Sequence, residues 1–103
     1  MAMEVSWWER RDQADRNELG AAALAHCRAL RETPGLRSAR FYWRGPDSLV
    51  LVEDVESLDV PSEELVVDQS RTFFALADLA RQTRKERWQD PIQGETFYRL
   101  ADR

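Results

Sequence analysis

Residues 7 and 8 are both tryptophan, and they lie in a segment, Met3 to Trp8, that reads as a β-strand. Successive side chains on a strand point to opposite faces. One face then carries Met3, Val5 and Trp7, and the other Glu4, Ser6 and Trp8. A sheet built on this strand holds a large indole on each side, so both of its surfaces need cover. That requirement limits the folds open to a chain of 103 residues.

The rest of the chain supplies one such cover. Asp12 to Arg16 is polar and carries helix-start signals, with Asp12 or Asp15 as the capping residue. The helix runs to about Glu32, with Leu19, Ala23, Cys27 and Leu30 as its apolar stripe and Leu24 on the flank. Ala21, Ala22, Ala25 and Ala29 raise its intrinsic propensity. Thr33-Pro34-Gly35 ends it, because proline cannot continue a helix and glycine permits the turn.

Alternation returns from Leu36 to Arg44. Ala39, Phe41 and Trp43 share one face, and Ser38, Arg40, Tyr42 and Arg44 the other. Gly45-Pro46-Asp47 is a turn, and Ser48 to Glu56 forms a third strand. Leu49, Val50, Leu51 and Val52 make that strand apolar on both faces, as expected of one buried on both sides. The short link makes the second and third strands a hairpin.

A short helical turn is expected over Ser62 to Val67, then a long helix from about Gln69 to Trp88. Its inner face holds Phe73, Leu76, Ala77, Ala80 and Trp88, with Thr83 nearby, and Asp90-Pro91 closes it. Gly94 to Leu100 reads as the last strand, with Thr96, Tyr98 and Leu100 opposite Glu95, Phe97 and Arg99.

The resulting order, β-α-β-β-α-β, is the ferredoxin-like pattern of an α+β domain. A four-stranded antiparallel sheet carries two helices on one face. The aromatic residues of the other face call for a second sheet, most simply that of a second copy of the chain. The expectation is a single domain over residues 1–103 that forms a homodimer.

Composition excludes several function classes. Hydrophobic residues at 43% and charged residues at 33% are globular, and the net charge of -4 disfavours contact with nucleic-acid phosphates. RNA-binding domains of the same topology need a basic-aromatic third strand, whereas Ser48 to Val55 has no aromatic and carries Glu53 and Asp54 near its end. No Cys-x-x-Cys is present, and the single Cys27 cannot form an internal disulfide, which fits a reducing, cytoplasmic setting. No apolar run approaches the roughly 20 residues that cross a bilayer. Met1 to Ser6 lacks the basic and apolar regions of a signal peptide. Glu53, Asp54 and Glu56 lack the histidine or cysteine of a transition-metal site and read as an exposed acidic strand end. No metal and no cofactor are expected.

The strand order, the Thr33-Pro34-Gly35-Leu36 junction and the aromatic run Thr96-Phe97-Tyr98 resemble the dimeric α/β-barrel superfamily, which includes antibiotic-biosynthesis monooxygenase-like proteins. The resemblance covers most of the chain. It implies a homodimer whose sheets form a shared barrel. It also implies cofactor-independent oxygenation of polyketide-like aromatics, haem degradation or lactone isomerisation as candidate chemistries. Haem-degrading members place an Asn on the first strand and a His on the second helix; here Asn17 and His26 both fall in the first helix.

The expected polar groups are His26, Tyr42 and Tyr98 as candidate catalytic residues, with Arg40 to bind a carboxylate or phenolate. Trp7 and Trp43 are candidate walls for a flat apolar or aromatic ligand. His26 is the one side chain that titrates near neutral pH without a large shift. The rival expectation is a non-catalytic dimeric module, structural or small-molecule-sensing. In it the aromatics serve core and interface, Cys27 is a small core thiol, and Arg40 pairs with Glu53 or Asp54.

Overall fold

A computed structural model describes residues 2–55 and 67–89. The order is β1 (Ala2–Arg10), α1 (Arg16–Arg31), β2 (Leu36–Trp43), β3 (Ser48–Val55), α2 (Val67–Leu79) and β4 (Ala80–Gln89). The strands form one antiparallel sheet in the order β2-β3-β1-β4. Both helices pack on one face of it. The expected β-α-β-β-α-β architecture is therefore the observed one.

Asp15 is the cap of α1, and its carboxylate accepts from the Asn17 N–H at 2.8 Å. The far end closes with Glu32 and Thr33 donating back to Ala29 and Leu30. Gly35 then takes φ 89°, a left-handed conformation that suits glycine, and turns the chain into β2. Leu19, Ala23, Cys27 and Leu30 of α1 are buried against Leu49, Leu51 and Ala39 of the sheet, and Leu76 closes the core from α2. Trp8 is also in this layer, 2% exposed, with its indole N–H on Ser6 Oγ at 2.9 Å and Phe73 edge-on to it.

The second helix differs from expectation. It ends at Leu79, and residues 80–89, expected as its second half, form β4. Arginine, glutamine, lysine and glutamate are good helix formers, so local propensity points the wrong way there. Pairing decides instead: every residue of β1 has a partner in β4, which an extended helix would leave as an open edge. Trp88 accordingly leaves the helical inner face expected for it and stands 49% exposed on the sheet. The strand expected at Gly94 to Leu100 lies outside the described residues, as does the turn expected over Ser62 to Val67 except for Val67, which begins α2.

One irregularity sets the phase of β4. Trp7 pairs with Arg84 and Trp8 with Gln82, so Thr83 is an extra residue at a β-bulge. Its hydroxyl donates to the Trp7 carbonyl at 3.3 Å. The bulge leaves Gln82, Lys85 and Arg87 all on the helix-facing side, opposite Trp8, Ser6 and Glu4.

Candidate functional site

The register sorts the expected site residues onto two faces. Trp43 lies on the helix-facing side, half-buried, with Phe41 edge-on to it and the Arg16 guanidinium 3.8 Å above its ring. Trp7, Arg40 and Tyr42 lie on the opposite face, where no described helix packs. Arg40 is paired there with Asp54 at 3.1 Å, and Arg84 approaches the Trp7 ring at 5.2 Å. Tyr42 is 54% exposed. Tyr98 lies outside the described residues.

His26 belongs to neither face of the sheet. It is buried between the helices, with Nδ1 2.8 Å from Thr72 Oγ1 and its ring edge-on to Phe73. Burial lowers its pKa to about 4, so the imidazole is neutral at physiological pH. Cys27, one residue on, is buried in the core, and burial with the nearby Glu53 outweighs Arg31 and pushes its thiol up to about 11. A thiol held neutral in this way is a packing group and a poor nucleophile.

A different set of groups does converge. On the helix-facing side one row crosses all four strands: Ala39, Glu53, Glu4 and Arg87. The next row is Phe41, Leu51, Ser6 and Lys85. Lys85 Nζ lies 2.8 Å from Glu4 Oε1, and Arg87 Nε donates to Glu4 Oε2 at 2.7 Å. Burial works to raise the Glu4 pKa, but the two cations outweigh it and hold it below the ordinary carboxylate value. Glu53 is the reverse case. Burial, the neighbouring Glu4 charge and a hydrogen bond with Glu4 raise it to about 7. Two glutamates side by side thus divide into one ionised carboxylate and one carboxyl poised near neutrality.

Sequence reading missed this group for two reasons. Glu53 looked like part of an exposed acidic strand end, yet it is half-buried beneath α1, next to Ala39 and opposite Glu4. Lys85 and Arg87 were expected on a helix. A usable signal exists in hindsight: Glu53 has the parity of Leu49 and Leu51, the buried face of its strand.

A separate cleft of about 520 Å³ lies at the Arg10 end of the sheet, lined by Glu9, Arg10, Arg11, Asp12, Asp47 and Arg81. Its guanidiniums are already engaged: Arg10 with Asp47, Arg11 with the Ala77 carbonyl and Arg81 with Glu9. No described helix is long and apolar enough to cross a membrane, and no group of three metal-ligating side chains occurs among the described residues.

No family description matches the chain, and no curated protein matches it in sequence. Solved structures do match in fold. SnoaB, a cofactor-independent oxygenase from Streptomyces nogalater, superposes with a TM-score of 0.75 at 11% identity, covering 87% of this chain and 92% of that one. A proposed antibiotic biosynthesis monooxygenase from Deinococcus radiodurans gives 0.72 at 12% identity, covering 88% and 93%. Rv0793 of Mycobacterium tuberculosis gives 0.71 at 18% identity, covering 91% and 98%. The chain has the fold of antibiotic biosynthesis monooxygenase structures, the fold expected from its strand order. At these identities the likeness is one of fold, and fold alone does not fix chemistry.

Proposed function

We propose that this protein is a homodimeric α/β barrel that binds a small aromatic molecule on the helix-facing side of its sheet and acts on it without a cofactor, by monooxygenase- or isomerase-like chemistry. The observation that carries the reading is the group Glu4, Glu53, Lys85 and Arg87, set at the edge of a mainly apolar layer. The side chains of Lys85 and Arg87 are 44% and 40% exposed, whereas that of Glu4 is 15% exposed and Glu53 is half-buried. Two adjacent carboxyls with oppositely displaced pKa values thus sit at the solvent edge of the core, an arrangement that points to use. Trp8, Phe73, Phe41 and Trp43 add aromatic surface on the same side. The fold likeness to a cofactor-independent oxygenase gives the chemical direction.

In this reading Trp43 keeps its place as a wall, His26 joins the two helices, and Trp7, Arg40 and Tyr42 serve the contact between sheets. That face carries Val5, Val50 and Val52 at its centre, with Trp7, Tyr42 and Trp88 around them. A second sheet laid against it covers these side chains, as in other sheet-on-sheet packings. The burial of Trp8 and His26, 2% and 4% exposed, favours the rival module in which the aromatics only pack.

A thermal-shift screen against aromatic and polyketide-like compounds separates the two. A ligand that binds the folded state raises the midpoint with concentration. No rise with any compound at millimolar concentration overturns the ligand reading. Sedimentation tests the dimer, and a stable monomer at micromolar concentration overturns that part.

A further inference from the structure

We propose that Glu53 is the proton-accepting group of this site, and that the substrates it serves are uncharged oxygen or carbon acids that ionise to a delocalised aromatic anion. The proposal rests on the ligand reading above and deepens it.

Position comes first. Glu53 stands in the row that crosses the sheet beneath the helices, between Ala39 of β2 and Glu4 of β1. Glu4 cannot do the same work, because Lys85 and Arg87 occupy both of its oxygens. It acts instead as a fixed negative neighbour that, added to the larger effect of burial, keeps Glu53 able to hold a proton near neutral pH. The charged groups that act on Glu53 come from two strands, Glu4 from β1 and Lys85 and Arg87 from β4, and the neutral Cys27 thiol of α1 lies near it.

Charge then selects the substrate. With Glu53 ionised, two carboxylates face the two cations Lys85 and Arg87, and the cluster sums to zero. A neutral molecule enters such a site without a charge mismatch. In the step itself, the O–H or C–H bond of the substrate breaks. Its electron pair stays on the substrate, and the proton bonds to a Glu53 oxygen and hydrogen-bonds to Glu4. The cluster now holds one carboxylate against two cations and is positive by one, beside an anion of one negative charge. The attraction appears only as the proton moves, which is the condition for lowering a barrier and not merely for binding. Return of the proton to another atom of the same anion completes an isomerisation with no further reactant.

The test uses 2-tetralone, an uncharged aromatic ketone with an acidic methylene beside its ring. Exchange of those protons for deuterium in D2O is followed by NMR, and binding by quenching of tryptophan fluorescence. The wild-type chain is expected to bind tetralone and accelerate exchange. Glu53→Gln is expected to keep binding and lose about 100-fold of that acceleration. Glu4→Gln removes the negative neighbour, so the pH midpoint of exchange moves to lower pH, a shift that a purely structural role for Glu53 does not produce. Glu53→Asp retains the carboxyl and part of the acceleration, and stands in if the glutamine variant does not fold. Tetralone bound by wild type and Glu53→Gln, with equal exchange in both, overturns the proposal and leaves the ligand reading intact. Absence of quenching by tetralone and by every compound of the aromatic screen overturns both.

Discussion

Glu4 and Glu53 are register partners on adjacent strands, and their carboxyls are driven in opposite directions. Lys85 and Arg87 keep the first ionised, whereas burial and the first carboxylate raise the second to about 7. Like charges directly across a ladder are destabilising, and this pair relieves the conflict as the second carboxyl takes up a proton below about pH 7.

Stability should therefore fall as pH rises through neutrality. The folded-state pKa of Glu53 lies above its unfolded value, so its contribution is complete below about pH 4.5 and is lost as pH passes about 7. Glu53→Gln removes this slope and raises stability at pH 8 by about 1–3 kcal/mol. Urea unfolding at pH 5 and pH 8 checks it. Equal slopes in both proteins contradict the assignment.

His26 works with the opposite sign. Its folded pKa is lowered, so the folded state favours the neutral ring and stability drops as pH falls from about 6.5 towards 4. His26→Gln is expected to flatten that acid limb. A double-mutant cycle of His26→Ala with Thr72→Ala should give a coupling of about 0.5–1.5 kcal/mol at pH 7. A coupling near zero means that the contact at 2.8 Å contributes nothing.

Gly35→Ala places a Cβ on a residue at φ 89°. The left-handed conformation costs an L-residue about 1–2 kcal/mol, and denaturant titration should show a loss of that size. Gly45→Ala is the control, since nothing stands within 4 Å of its Cβ position.

Cys27 should resist thiol reagents in the native state, being both buried and held up to about 11. Labelling with an aromatic disulfide at pH 8 is expected to proceed at the rate of opening and to become fast in urea. Rapid native labelling contradicts the placement of this side chain.

Trp88→Glu puts a charge on the face assigned to the second copy. If the proposed dimer forms through that face, sedimentation is expected to show at least about a tenfold weaker association. An unchanged association constant places the interface elsewhere.

Much of the fold was legible in residues whose local and global preferences agree. The stripe of Leu19, Ala23, Cys27 and Leu30, the Thr33-Pro34-Gly35 stop and the alternation around Phe41 read correctly because propensity, period and burial coincide there. Residues 80–89 read as helix because their side chains prefer one, and only the unpaired edge of β1 overrides that preference. The site was less legible than the fold. Tyr42 and Trp43 are neighbours in sequence and occupy opposite faces, whereas Glu4, Glu53 and Arg87 are far apart in sequence and share one row. Such a row depends on register, which no single segment contains.

The bulge at Thr83 has a consequence for how this strand can vary. Ala80 and Lys85 are five residues apart, an odd interval, and the extra residue is what lets both look towards the helices. Removing one residue there would rotate either Ala80 and Gln82 or Lys85 and Arg87 to the far side, emptying the core or stripping Glu4 of its cations. Length is thus constrained at this point more tightly than chemistry. The strand should accept many side chains at position 83 and no deletion, since the tally of residues holds the charged row in phase with the core.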